Sequence, residues 1–133
     1  MRKLAQTSLI YMIAGLVFGV YYREFTKFTA FSGKTQLSVL HTHTLVLGML
    51  FFLIVLLLEK NFKLSEQKHF QKFYLFFNAG LVITIGMLLL HGTLTVLSYP
   101  DSAAISGIAG IGHLLLTIGL GFFFHSLLKA LPA

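Results

Sequence analysis

Four stretches of this chain contain no Asp, Glu, Lys or Arg: Leu4 to Tyr22, Leu37 to Leu58, Phe73 to Tyr99 and Ser102 to Leu128. A helix crossing a bilayer needs about 20 predominantly apolar residues, and each stretch meets or nearly meets that length. In hydrocarbon every backbone N–H and C=O must be bonded within the protein, which leaves helices as the spanning structures for runs of this kind. The sequence therefore predicts an all-α fold, a four-helix transmembrane bundle forming one domain over 1–133, with helices about 4–22, 37–58, 73–99 and 102–128. Composition excludes a soluble domain: 11% of residues are charged and mean hydropathy is +0.85, where a soluble surface needs about 25% charged.

The first stretch follows Arg2 and Lys3 as a signal peptide would, but Tyr11, Gly15 and Gly19 interrupt it. It ends in Tyr21-Tyr22-Arg23 without a small-x-small cleavage pattern, so it is expected to stay in the mature protein. The chain has no cysteine, which removes disulfides, iron–sulfur clusters and thiolate ligation and leaves imidazole as the strongest metal ligand. Seven cations (Arg2, Lys3, Lys60, Lys63, Lys68, Lys72, Lys129) fall on one side of the four spans and three (Arg23, Lys27, Lys34) on the other. The positive-inside rule then predicts both termini and the middle loop in the cytoplasm of a multi-pass plasma-membrane protein.

Histidines are the residues out of place. His41, His43, His91 and His113 lie within or at the mouth of the apolar stretches, and intramembrane ionisable groups need partners. In the predicted topology all four fall in the outer half of the bilayer, His113 about 5 Å deeper than His91 at 1.5 Å per residue. No carboxylate lies in these stretches to pair with them, which points to a metal or a metal cofactor; each imidazole could alternatively bond a carbonyl of a neighbouring helix. His69, among lysines, reads as solvated, and His125 as an interfacial residue.

Helical phase groups the small and polar residues. Helix 1 carries Ser8, Tyr11, Gly15, Gly19 and Tyr22 on one face, with Gly15 and Gly19 forming a close-approach GxxxG pair. Helix 3 aligns Gly80, Thr84, Met87, His91, Thr95 and Ser98, and helix 4 aligns Ser106, Gly110, His113 and Thr117. These stripes are expected to face the bundle interior, whether as ordinary packing or as a cofactor site. Met87, one turn from His91, suits either packing or a thioether ligand.

His41-Thr42-His43 gives the sharpest local constraint. Two residues along an α-helix amount to about 200° of rotation, so the rings point to opposite sides and cannot chelate one ion. The His41 face continues through Thr44, Leu45, Gly48 and Phe52 toward the interior. The His43 face continues through Leu47, Leu50 and Ile54, toward lipid or a second protomer. An imidazole facing lipid would be unsatisfied, so a homo-oligomer is expected.

The segment His41-Thr42-His43-Thr44-Leu45-Val46-Leu47-Gly48 resembles the histidine-bearing transmembrane segments of the heme-copper oxidase subunit I superfamily. The chain as a whole resembles a family of small four-helix membrane proteins of unknown function from Gram-positive bacteria. The oxidase resemblance implies that a His-x-His pair ligates two hemes on opposite helix faces. It further implies that three four-helix chains could imitate the twelve-helix oxidase subunit as a homotrimer. This chain lacks the adjacent His-His pair and the cross-linkable Tyr of the oxidase copper site, so the resemblance implies heme without copper.

Heme b also fits the residues on physical grounds, since a macrocycle needs apolar walls, small residues at its faces and one or two axial imidazoles. Gly48, Gly86, Gly92, Gly110 and Gly112 are the expected room, and Arg23, Lys27 and Lys34 the expected partners of the propionates, unless they are merely solvated. No Cys-x-x-Cys-His exists for covalent attachment. The net charge of +6 is explained by the membrane-flanking loops. No nucleic-acid motif, phosphate-binding glycine loop or Ser-His-Asp arrangement accompanies it. Two classes stay open: a heme protein for electron transfer, gas sensing or heme handling, and a small histidine-lined channel or transporter for a transition metal or proton. The missing intramembrane carboxylates count against the second.

Overall fold

The computed structural model describes residues 1–100 and 102–132. It contains four helices long and apolar enough to cross a membrane: α1 (Arg2–Phe28), α2 (Leu37–Phe62), α3 (Phe70–Val96) and α4 (Ala103–Ala130). α1, α2 and α4 run past the C-terminal end of the charge-free window that announced them, whereas α3 starts earlier than its window, at Phe70, and ends at Val96, short of the expected Tyr99. Charged residues such as Arg23, Lys27 and Glu59 mark where hydrocarbon gives way to water, but they favour helix well enough to carry it onward. Within α2, Thr44–Leu50 widens into a π-helical segment directly after the His-x-His pair, a local unwinding found often at functional positions.

Helix ends are set by left-handed residues, none of them glycine. Ala30, Lys63 and Ser98 have φ of 51°, 50° and 60° and stand just beyond α1, α2 and α3. Thr35 then starts α2: its hydroxyl accepts from the Leu37 N–H at 3.3 Å and donates to the Gly92 carbonyl at 2.8 Å, tying the α1–α2 loop to α3. At the other end Glu59 is buried and accepts from both the backbone N–H and the hydroxyl of Ser65, which closes the α2–α3 turn.

Glycines let the helices approach. On α1, a Cβ at Gly15 would stand 2.6 Å from the Leu45 side chain, and on α2 a Cβ at Gly48 would stand 2.4 Å from the Tyr11 ring. On α3 and α4, Gly80 lies against the Leu116 backbone, Gly112 against Thr84 and Gly119 against the Phe77 backbone. Across these two hairpins, α1 is tied to α3 by hydrogen bonds: Thr7 with Tyr74 at 2.6 Å, the Tyr11 hydroxyl donating to Asn78 Oδ1 at 3.0 Å, and Tyr21 with Thr93 at 3.0 Å.

The core runs along the bundle from Leu4, Leu64 and Phe70 at the end holding both termini to Leu37, Leu40 and Val96 at the other. Phe52, Phe73 and Phe77 are almost fully buried. Phe51 joins them, stacked on Phe77 at 4.5 Å and meeting Phe123 of α4 at 5.3 Å. The half away from the termini buries Leu37, Leu40 and Val96 but leaves some glycine faces open. There Gly86, Gly107 and Gly110 have no neighbour within 4 Å of where a Cβ would be, and that half carries the four intramembrane histidines.

Candidate functional site

Contacts between helices fix the depth of each histidine. Gly92 lies against Leu37 and Phe77 stacks on Phe51, so His41 stands level with Leu88 and His43 level with Gly86. Gly112 lies against Thr84 and Ile83, so His113 stands level with Ile83. From His91 to His113 the four therefore spread over about 12 Å at 1.5 Å per residue, more than the sequence implied. The difference arises because the α3–α4 register is set by glycine contacts deep in the hairpin. His43 is the one nearest His113 in depth, about 4 to 5 Å by the same rise.

Direction separates them further. His41 turns to α1, where its Cβ would meet a Cβ at Gly19 at 3.8 Å. Its Nδ1 is shut from solvent without a hydrogen-bond partner, and its Nε2 lies 3.3 Å from the Thr42 hydroxyl. His91 is half-buried two turns beyond Thr84, on the α3 face that meets α4. His43 is half-exposed, one turn before Leu47 and two before Phe51, the residue of α2 that reaches α4. His113 is exposed, half a turn of phase from Phe122, whose ring packs against Phe76 and His69 on the side of α4 away from α2. His43 and His113 thus look out from one flank of the bundle, formed by α2 and α4.

Their hydrogen bonding is the same. His43 Nδ1 lies 2.9 Å from the Val39 carbonyl and His113 Nδ1 lies 2.9 Å from the Ala109 carbonyl, each one turn back on its own helix. A carbonyl oxygen can only accept, so Nδ1 carries the proton and, in the neutral ring, the lone pair sits on the outward Nε2. Metal-ligating histidines are held in this way, with the second nitrogen donating to a carbonyl that fixes tautomer and ring plane. Among the described residues no three His, Asp or Glu side chains converge as a cage for a metal ion. A macrocycle that brings four nitrogens of its own needs only one or two more.

Several expected positions lie elsewhere. The α4 stripe of Ser106, Gly110, His113 and Thr117 is exposed; the face that α4 buries is Gly112, Leu116, Gly119, Phe123 and Ser126. Two glycines on that face lie against the α3 backbone, and this contact decides the rotation of α4. Gly48, Gly92 and Gly112 are filled by Tyr11, Leu37 and Thr84, so they hold helices together and offer no room for a macrocycle, whereas Gly86 and Gly110 face open space. Met87 is half-buried. Arg23, Lys27 and Lys34 are exposed beyond the spans, Arg23 Nε lying 3.6 Å from Glu24. A groove of about 440 Å³ between α1 and α3, lined by Val17, Phe18, Tyr21, Gly86, Leu90 and Thr93 among others, holds no histidine.

Sequence reasoning missed one cluster. His69 and His125 are in contact, ring centroids 4.8 Å apart, at the end of the bundle holding the termini. The antiparallel pairing of α3 with α4 is the signal that would have found them, since a hairpin brings the start of one helix beside the end of the next.

No curated protein and no solved structure matches the chain, and no match supports a likeness to the oxidase subunit. A family model matches residues 1–130, and the chain belongs to that family, DUF2871, described as proteins of unknown function.

Proposed function

We propose that the chain is a membrane protein binding heme b noncovalently, with His43 and His113 as the best-configured axial ligands and His41 and His91 as the next candidates. The observation that carries the reading is the shared Nδ1–H to carbonyl bond of His43 and His113, which leaves an Nε2 lone pair aimed out of the helix at membrane depth. Without a partner that nitrogen would be unsatisfied in hydrocarbon. The open face at Gly110 supplies room at the level of His43, and the surrounding side chains are apolar. Bound heme would supply reversible one-electron chemistry or a gas-binding iron; His43 and His113 would hold it, and the apolar side chains around them would exclude water. Arg23, Lys27 and Lys34 are the cations available to propionates at that end.

Assembly belongs to the same proposal. The outward face of α1 is Leu9, Ile13, Leu16, Val17 and Val20, all bulky and apolar as lipid requires. The outward face of α4 sets Ser106, Gly110, His113, Thr117 and Gly121 among exposed Leu114, Phe124 and Leu128, and small and polar residues of this kind are those on which membrane helices associate. A second copy against the α2–α4 flank would close the heme faces, and cyclic symmetry repeats such an interface without an open end. A homotrimer in a bacterial plasma membrane, both termini cytoplasmic, is the arrangement favoured by the oxidase resemblance and by the seven-to-three split of cations.

Purification from heme-replete cells, followed by a visible spectrum with and without added hemin, tests this directly. A Soret band that shifts or vanishes in His43→Ala and in His113→Ala is expected. Absence of a Soret band in the wild-type protein under both conditions would refute heme binding, and an unchanged spectrum in either variant would remove that residue from the site.

A further inference from the structure

At the end of the bundle that carries both termini, His69 stands just before α3 and His125 lies in the last turns of α4. Their rings meet edge to face at 4.8 Å, and His69 also stacks on Phe122 at 5.6 Å with 12° between the planes. Lys72 Nζ lies 5.7 Å from the centre of the same Phe122 ring. Beside them opens a cavity of about 360 Å³ lined by His69, Ile118, Gly121, Phe122 and His125. It is polar where it nears the membrane surface and apolar where it runs along α4 toward the bilayer centre. Gly121 leaves its floor open, with nothing within 4 Å of a Cβ there.

Among the described residues, the charged groups that act on His69 are cationic. Burial first, then the charges of His125, Lys72, Lys68 and Lys129, hold the His69 imidazolium below the usual histidine pKa. Among the described residues the ion pairs are Arg23 with Glu24 and Lys63 with Glu66, and Glu59 is engaged by Ser65. Lys68, Lys72 and Lys129 have no carboxylate partner among these. His69 Nδ1 is shut from solvent and unpaired. An anion with an apolar tail would complement each of these features at once, and basic pockets between helices at the membrane surface recognise such headgroups.

We infer that this cavity binds an anionic glycerophospholipid, its phosphate among Lys68, Lys72, Lys129 and the two imidazoles and an acyl chain along Ile118, Gly121 and Phe122. The inference is independent of heme, since the cluster lies at the opposite end of the spans from His43. The ring spacing would also suit two imidazoles on one divalent ion, about 5 Å at a tetrahedral angle. Three surrounding lysines, however, repel a cation.

Native mass spectrometry of the full chain in mild detergent, titrated separately with phosphatidylglycerol and phosphatidylcholine, tests it. The wild type should retain the anionic lipid more tightly. Lys72→Gln and His125→Gln should each weaken that lipid about fivefold, the effect of one cation near an anionic surface, while leaving the zwitterionic one unchanged. Lys60→Gln, on the same membrane face but outside the cluster, should have no effect. Equal retention of the two lipids, an equal loss in Lys60→Gln, or full retention in both cluster variants would overturn the assignment. So would displacement of the lipid by millimolar inorganic phosphate, or tight Zn²⁺ binding that both His69→Ala and His125→Ala abolish.

Discussion

A histidine in a membrane helix is defined by what each nitrogen does. At His43 and His113 one nitrogen is already spoken for by a carbonyl a turn back, so the other is left as a base facing outward. The sequence could show that an imidazole was there and how far along its helix; only the rotamer reveals which nitrogen is offered. His69 makes the complementary point through pH. Its pKa is lowered by burial and by His125, Lys72, Lys68 and Lys129. A phosphate among these groups would raise it, so the lipid-bound form holds a proton more readily than the free form. Binding of phosphatidylglycerol should therefore tighten as pH falls through the ordinary histidine range and level off below the free-state pKa. Lipid titrations at pH 7.5 and 5.5 would check this, with His69→Ala and His125→Ala together flattening the dependence.

Glycines act at the scale of the element, and they divide into two kinds that look alike in sequence. Gly48 is pressed on by the Tyr11 ring, with only 2.4 Å available to an added Cβ, whereas Gly86 has nothing within 4 Å. Gly48→Ala should therefore destabilise the fold by about 1–3 kcal/mol through overpacking. Gly86→Ala should be neutral or stabilising by up to about 1 kcal/mol from helix propensity. Titration with SDS followed by far-UV circular dichroism would measure both. Ala30 offers a test of helix termination: its φ of 51° strains a residue with a Cβ, and Ala30→Gly should raise stability by about 0.5–1 kcal/mol in the same assay. Of the helix 1 stripe, Ser8, Tyr11 and Gly15 are buried as its period implies, while Gly19 and Tyr22 are half-buried. The equally regular stripe on α4 is not, because a period defines a face without saying what that face meets.

For the whole molecule, two glycine-packed hairpins are joined by a phenylalanine cluster at one end and by α1–α3 hydrogen bonds along their length. Both outward surfaces expose large apolar side chains, but that of α4 sets small and polar residues, Ser106, Gly110, His113, Thr117 and Gly121, among Leu114, Phe124 and Leu128. Native mass spectrometry of the heme-loaded protein should show an oligomer, with three chains expected. Gly110→Leu, which fills an open outward face without touching the core, should shift the population toward monomer and lower heme content together. A monomer holding its full heme complement would contradict the placement of His43 and His113 at an interface.

Charge-free length and composition were enough to determine four helices long and apolar enough to cross a membrane, because both follow from what hydrocarbon tolerates. The opposite pointing of His41 and His43 followed from helix geometry in the same way. Rotation of α4, the depth of His113, the sorting of glycines into filled and open, and the meeting of His69 with His125 were decided by tertiary structure. Each depends on which backbone a small residue lies against, and that contact joins positions far apart in the chain, beyond the reach of any local period.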